Sequence, residues 1–140
     1  MKQFVVDNSV VMAWAFEDEH DEYADKVLDS LNEATALAPA LWPLETANVL
    51  AVAERKGRIP EADSLRFLAL LNGLPIELAA DMYDWITIAR NTLTIARDFG
   101  ISAYDASYLS LAINHDLPLA TQDTGLRNAA RQASVPIWCA

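Results

Sequence analysis

Cysteine is nearly absent: the one thiol among 140 residues, Cys139, cannot form a disulfide within the chain, which suits a reducing cytosol. Lying beside Trp138 near the end of the sequence, it reads as part of a packed or frayed terminus and not as a nucleophile. Histidine is scarce too. His20 and His115 are far apart in sequence, so no His/Cys set is available for zinc, and His115 reads as a cation at a helix C-terminus. No apolar run approaches the roughly 20 residues of a membrane span. The start, residues 1–7, has one lysine and too short an apolar stretch for a signal peptide, so the expected location is cytoplasmic. Bases are the other shortage. Ten Lys and Arg against twenty Asp and Glu leave a net charge of −10, which argues against broad nonspecific nucleic-acid binding. It does not exclude a nuclease whose acids gather around metal ions. Part of the excess lies in residues 17–22, EDEHDE, read as a solvated loop and helix start with no chemical role. Internal repeats, low-complexity tracts and linkers are lacking as well, and the length suits one domain, 1–140, with a substantial core.

What is present is alternation of short apolar runs with amphipathic stretches. Residues 3–6 read as a buried strand ending at Asp7, after which Ser9 can cap a helix over 10–16. A second helix covers about 21–32, with Ala24, Val27, Leu28 and Leu31 inward, followed by a weak strand at 36–38. Pro43 suits the start of a helix running to Lys56 and stopped by Gly57. Further helices are expected over 60–71 and 81–99, with a strand at 75–78 between them. Then come a helix capped by Ser102, a strand at 117–121, a helix over 124–133 and a last strand at 135–138. Such a pattern predicts an α/β fold with a mainly parallel sheet of about five strands.

Four acids occupy places that solvation alone does not explain. Asp7 and Asp123 end apolar strands. Glu45 and Asp105 fall in first helical turns, Asp105 on the stripe of Tyr108, Leu109 and Ala112, and Glu45 on a face with Asn48, Val49 and Val52. Three of them have an ordinary alternative: a capping box for Asp105, dipole complementarity for Glu45, an N-cap for Asp123. In an open parallel sheet, however, strand C-termini and helix N-termini meet on one edge, where the four can converge. Packed carboxylates repel unless a divalent cation neutralises them, and hard oxygen donors suit Mg2+ or Mn2+.

The spaced set Val6-Asp7-Asn8-Ser9, Glu45-Thr46-Ala47-Asn48-Val49-Leu50, Tyr104-Asp105-Ala106-Ser107-Tyr108 and Leu119-Ala120-Thr121-Gln122-Asp123 resembles the PIN-domain ribonucleases, most of all VapC-type toxins of bacterial toxin–antitoxin pairs. The resemblance implies a three-layer α/β/α sandwich with Asp7, Glu45, Asp105 and Asp123 as the acidic metal site, and Ser9, Asn48 and Thr121 in support. It also implies an RNA substrate, a homodimer and a small inhibitory antitoxin. Arg127 and Arg131, or Arg55, Lys56 and Arg58, are the cations available for RNA phosphates, and each is equally an ordinary solvated helix end. Two rivals remain. An aspartyl-phosphate phosphatase could use Asp7, though position 9 is Ser where a second acid is expected and no lysine follows Lys56. A PIN-like binding module would keep the acids without cleaving anything.

Overall fold

The computed structural model describes residues 2–80 and 83–140. Four strands, β1 (Lys2–Val6), β2 (Ala34–Ala38), β3 (Ile76–Leu78) and β4 (Leu119–Ala120), form one parallel sheet in the order β3-β2-β1-β4. The helices are α1 (Asn8–Ala15), α2 (Glu22–Ser30), α3 (Trp42–Arg55), α4 (Glu61–Asn72), α5 (Trp85–Phe99), α6 (Ala103–His115) and α7 (Thr124–Gln132), with a 3-10 turn at Glu17–Glu19. Among the described residues, none of these helices is long and apolar enough to cross a membrane.

Strand alternation makes the three layers. Phe4 and Val6 of β1, with Ala34 and Ala36 of β2, pack toward residues of α1, α2, α3 and α4. Val5 and Leu37 point the other way, onto Tyr108, Leu109 and Ala112 of α6 and Leu126, Ala129 and Ala130 of α7. Phe4, Val5 and Val6 are all 0% exposed, so β1 is covered on both faces, as expected for a strand central to a parallel sheet.

Several elements differ from expectation. The anticipated last strand at 135–138 is reduced to a single bridge between Leu119 and Ile137, giving a four-stranded sheet. Pro136 offers no N–H for a ladder, and left-handed Ser134 and Cys139 break the extended path on either side. Trp138 is nevertheless anchored, stacked on Phe4 at 4.8 Å and donating its indole N–H to Ser30 Oγ at 2.9 Å. Helix α1 starts at Asn8 with Asp7 in the N-cap position, so Ser9 lies inside it and does not cap it. The start expected for α5 at Asp81 falls outside the described residues; the helix runs from Trp85, capped by the Asp84 side chain.

The turn joining α5 to α6 depends on Gly100, whose φ of +63° is left-handed and whose amide bonds back to Ala96. This turn aims the first turn of α6, and with it Asp105, at the sheet edge. Nothing lies within 4 Å of where a Cβ would stand, so a side chain here meets only backbone strain. Gly100→Ala is expected to cost about 1 kcal/mol of stability. Urea denaturation checks this as a lower midpoint with an unchanged m-value.

Candidate active site

The C-terminal edge of the sheet opens into a cup of about 480 Å³ whose wall includes Asp7, Glu19, Glu45, Asp105 and Asp123. Among the described residues, no lysine or arginine lines it. All four acids singled out from the sequence therefore share one cavity, although they come from the residue after β1, from α3 and α6, and from the loop after β4.

Asp7 is the most deeply set, 5% exposed, because β1 continues past Val6 through an amide bond from Asp7 N to Ala120 O at 2.9 Å. Its side chain does not cap α1. Instead its Oδ2 accepts from Ser9 Oγ at 2.7 Å and from Thr121 Oγ1 at 2.8 Å. Ser9 Oγ also accepts from the Gln122 amide and Thr121 Oγ1 from the Asp123 amide, both at 3.1 Å. Two hydroxyls thus lock the carboxylate to the loop that carries Asp123. Burial raises the pKa of Asp7, and these hydrogen bonds offset only part of that rise.

Glu45, in the first turn of α3, accepts a hydrogen bond from Tyr108 Oη at 2.5 Å. Burial raises its pKa most, the Tyr108 bond lowers it, and the charge of Asp7 raises it again. Asp105 sits at the third position of α6, its amide donating to Ser102 Oγ at 3.1 Å as in a capping box. Capping alone does not describe it. Its pKa is pushed up to about 6, by burial first and then by the charges of Asp7, Asp123 and Glu45. Asp123 also has two tasks: its Oδ2 caps α7 by accepting from Leu126 N at 2.7 Å, while the residue lines the cup.

Thr121 and Ser9 thus hold Asp7. Asn48 does not reach the acids: it is exposed on α3, and the buried polar residue of that turn is Thr46, 3% exposed. The helix is rotated so that Thr46, not Asn48, meets the inside, donating to Asn8 Oδ1 at 3.3 Å. Asn8 also accepts from Trp42 Nε1 at 3.1 Å, pinning the start of α3 to the end of β1 and so fixing Glu45 relative to Asp7. Of the expected RNA-contacting cations, Arg127 is occupied elsewhere. Its Nε donates to Thr121 O at 2.7 Å and its guanidinium lies 4.4 Å over the Tyr23 ring. Arg58 is paired with Asp18 at 3.0 Å and stacked 4.4 Å over Phe16. Arg55, Lys56 and Arg131 are exposed.

Sequence reasoning missed Tyr108, Asn8 and Glu19. A tyrosine on a buried stripe needs a partner for its hydroxyl, and that signal was available for Tyr108. Nothing local marks Glu19, which reaches the cup only because the 3-10 turn folds back.

Whether the cup suits a cation follows from its donors. Among the described residues, no three His, Cys, Asp or Glu side chains stand close enough together to hold a metal ion by their own atoms alone. A spread of carboxylates around a cup matches a hard ion that retains water between itself and some of its ligands, as Mg2+ does. The unbalanced repulsion on Asp105 is what such an ion would relieve. The residues present fit a partly hydrated divalent cation.

Structures of known proteins share this architecture. PAE2754 from Pyrobaculum aerophilum is similar at 26% identity and a TM-score of 0.67, over 91% of this chain and 86% of that one. VapBC2 from Rickettsia felis, bound to a DNA fragment from its promoter, gives 12% identity and a TM-score of 0.68 over 96% of each chain. FitAcB from Neisseria gonorrhoeae gives 19% identity and a TM-score of 0.53 over 96% of this chain and 95% of that one. Comparison with curated protein sequences finds no significant relative. Residues 4–132 match the PIN domain model, and on that match, which takes in β1 through α7, the chain belongs to the PIN domain family.

Proposed function

We propose that this protein is a Mg2+-dependent endoribonuclease, with Mn2+ as an alternative ion, acting as the toxin of a VapC-type toxin–antitoxin pair in the cytoplasm. The observation that carries this reading is the electrostatic coupling of Asp105 to Asp7, Asp123 and Glu45 in one cavity, within a PIN fold. VapBC2 and, among the further structural neighbours, a toxin–antitoxin complex from Klebsiella pneumoniae support the pairing with a small antitoxin. Such an inhibitor could offer a cation to the acids that have none of their own. A homodimer is the expected assembly.

Asp7 and Asp105 would be the principal ligands of the ion, with Glu45 as ligand or general base and Asp123 acting through water. When bound, the ion would neutralise the scissile phosphate and acidify the attacking water. Asp7 enters this chemistry pre-oriented, because Ser9 and Thr121 hold one of its oxygens. Glu45 is held by the Tyr108 hydroxyl, which keeps it more acidic than burial would leave it and ready to accept a proton from water. Asp105, though pushed up to about 6, is still mostly ionised at neutral pH and so available as a ligand. With Arg58 and Arg127 engaged within the protein, Arg55, Lys56 and Arg131 remain for the RNA backbone.

Incubating RNA with the protein and Mg2+ is expected to yield 5′-phosphate and 3′-hydroxyl ends, and EDTA to stop the reaction. A phosphoenzyme on Asp7, or no cleavage of any RNA, would overturn the proposal. Tyr108→Phe removes the donor to Glu45, so its pKa should rise further. Activity should fall about tenfold, as for other partners of ligand side chains, with the acidic limb of the pH–rate profile moved to higher pH.

A further inference from the structure

The acidic run at 17–22 contributes one residue to the cup, and the structure explains how that residue is held there. Glu19 lines the same cavity as Asp7, Glu45, Asp105 and Asp123. It ends the 3-10 turn at Glu17–Glu19, which Phe16 roots in the core at 5% exposed. Arg58, just beyond the end of α3, lies over the Phe16 ring at 4.4 Å and grips Asp18 through both carboxylate oxygens at 3.0 and 3.1 Å. The same Nη2 lies 3.8 Å from Glu19 Oε1, too long for a hydrogen bond but close enough to attract. Arg58 therefore fixes the turn through Asp18 and Phe16 and leaves Glu19 without a short bond to it.

We propose that Glu19 is a fifth carboxylate of the cation site and that Arg58 is the positioning residue that keeps it at the cup's rim. The inference rests on the metal-dependent reading above and adds two residues to it. In the ion-free protein Glu19 is balanced by Arg58. On cation binding it turns toward the ion, directly or through a water, with Arg58 retained by Asp18. The sign of an electrostatic effect separates positioning from simple charge. Arg58 is a cation near a cation site, so if it acted only through space, removing it would strengthen metal binding. If it positions Glu19, removing it weakens metal binding.

Calorimetric titration of Mn2+ into the full chain tests this with wild type, Glu19→Gln, Arg58→Gln and Asp18→Asn, thermal melting serving to compare folds. Glu19→Gln, an exposed change, is expected to weaken Mn2+ about tenfold with an unchanged melting curve in the absence of metal. Arg58→Gln and Asp18→Asn should each weaken it about threefold, despite the lost positive charge in the first. Equal affinity for Glu19→Gln and wild type, or tighter binding by Arg58→Gln, overturns the inference while leaving the four-acid site standing. No Mn2+ uptake by wild type overturns both.

Discussion

Asp7→Asn is expected to reduce metal-dependent RNA cleavage by about a thousandfold, the scale on which losing a principal electrostatic group in a site is felt. The structure makes this substitution close to a pure test of charge. Both hydroxyls that hold the side chain, Ser9 and Thr121, donate to the same oxygen, Oδ2, and an amide oxygen in that place accepts from both. The negative charge is what disappears. Removing it relieves a desolvation penalty, while the two hydroxyl bonds now go to a neutral acceptor and are weakened, so folding stability should stay within about 1 kcal/mol of wild type. Single-turnover cleavage and urea denaturation measure the two quantities separately. Loss of activity together with loss of structure, or retained cleavage, would contradict a role for Asp7 in holding the ion.

The second large effect is on the metal-free protein, whose stability should carry the mark of the crowded acids. Asp105 titrates from an ordinary value of 3.8 to about 6 in the fold. A raised pKa means the native state binds the proton more tightly than the unfolded chain. Its contribution is therefore fully present below pH 3.8 and is lost as pH rises through about 6. The group is partly solvated, so screening reduces the loss to the order of 1–2 kcal/mol. Asp7 and Glu45, both shifted upward, add in the same direction. Asp105→Asn should flatten this part of the stability–pH curve. Saturating Mn2+ should restore stability above pH 6, by about 2.7 kcal/mol at a concentration 100 times its dissociation constant. A metal-free stability that rose between pH 4 and pH 7 in wild type and remained unaffected by Asp105→Asn would contradict the coupling.

Much of this arrangement could be read from the chain because each of the four acids sits at a boundary that local chemistry marks. Asp7 follows an apolar β run, Asp105 follows a Ser N-cap by three positions, Glu45 follows Pro43 in a first turn, and Asp123 caps a helix. Parallel topology then brings such boundaries to one edge. Features that depend on helix rotation or on tertiary partners were not legible. Asn48 and Thr46 are two residues apart, and only packing against Asn8 decides which turns inward. The expected substrate cation Arg127 is drawn under the loop by the Thr121 carbonyl and the Tyr23 ring, contacts six and 104 positions away in sequence. At 135–138, apolar composition pointed to a strand that Pro136 and two left-handed residues do not permit. Glu19 looked like any acid in a solvated run, and only the folding back of its turn brings it to the cup.

The claim on which the rest depends is that residues 7, 45, 105 and 123 seat one divalent ion between them. Crystals of the protein soaked in Mn2+ and measured for anomalous scattering address it directly. The account predicts a peak inside the cup, within direct or water-bridged reach of Asp7 and Asp105. A map empty there, or with Mn2+ bound only at surface acids such as Asp18 or Asp63, would contradict it.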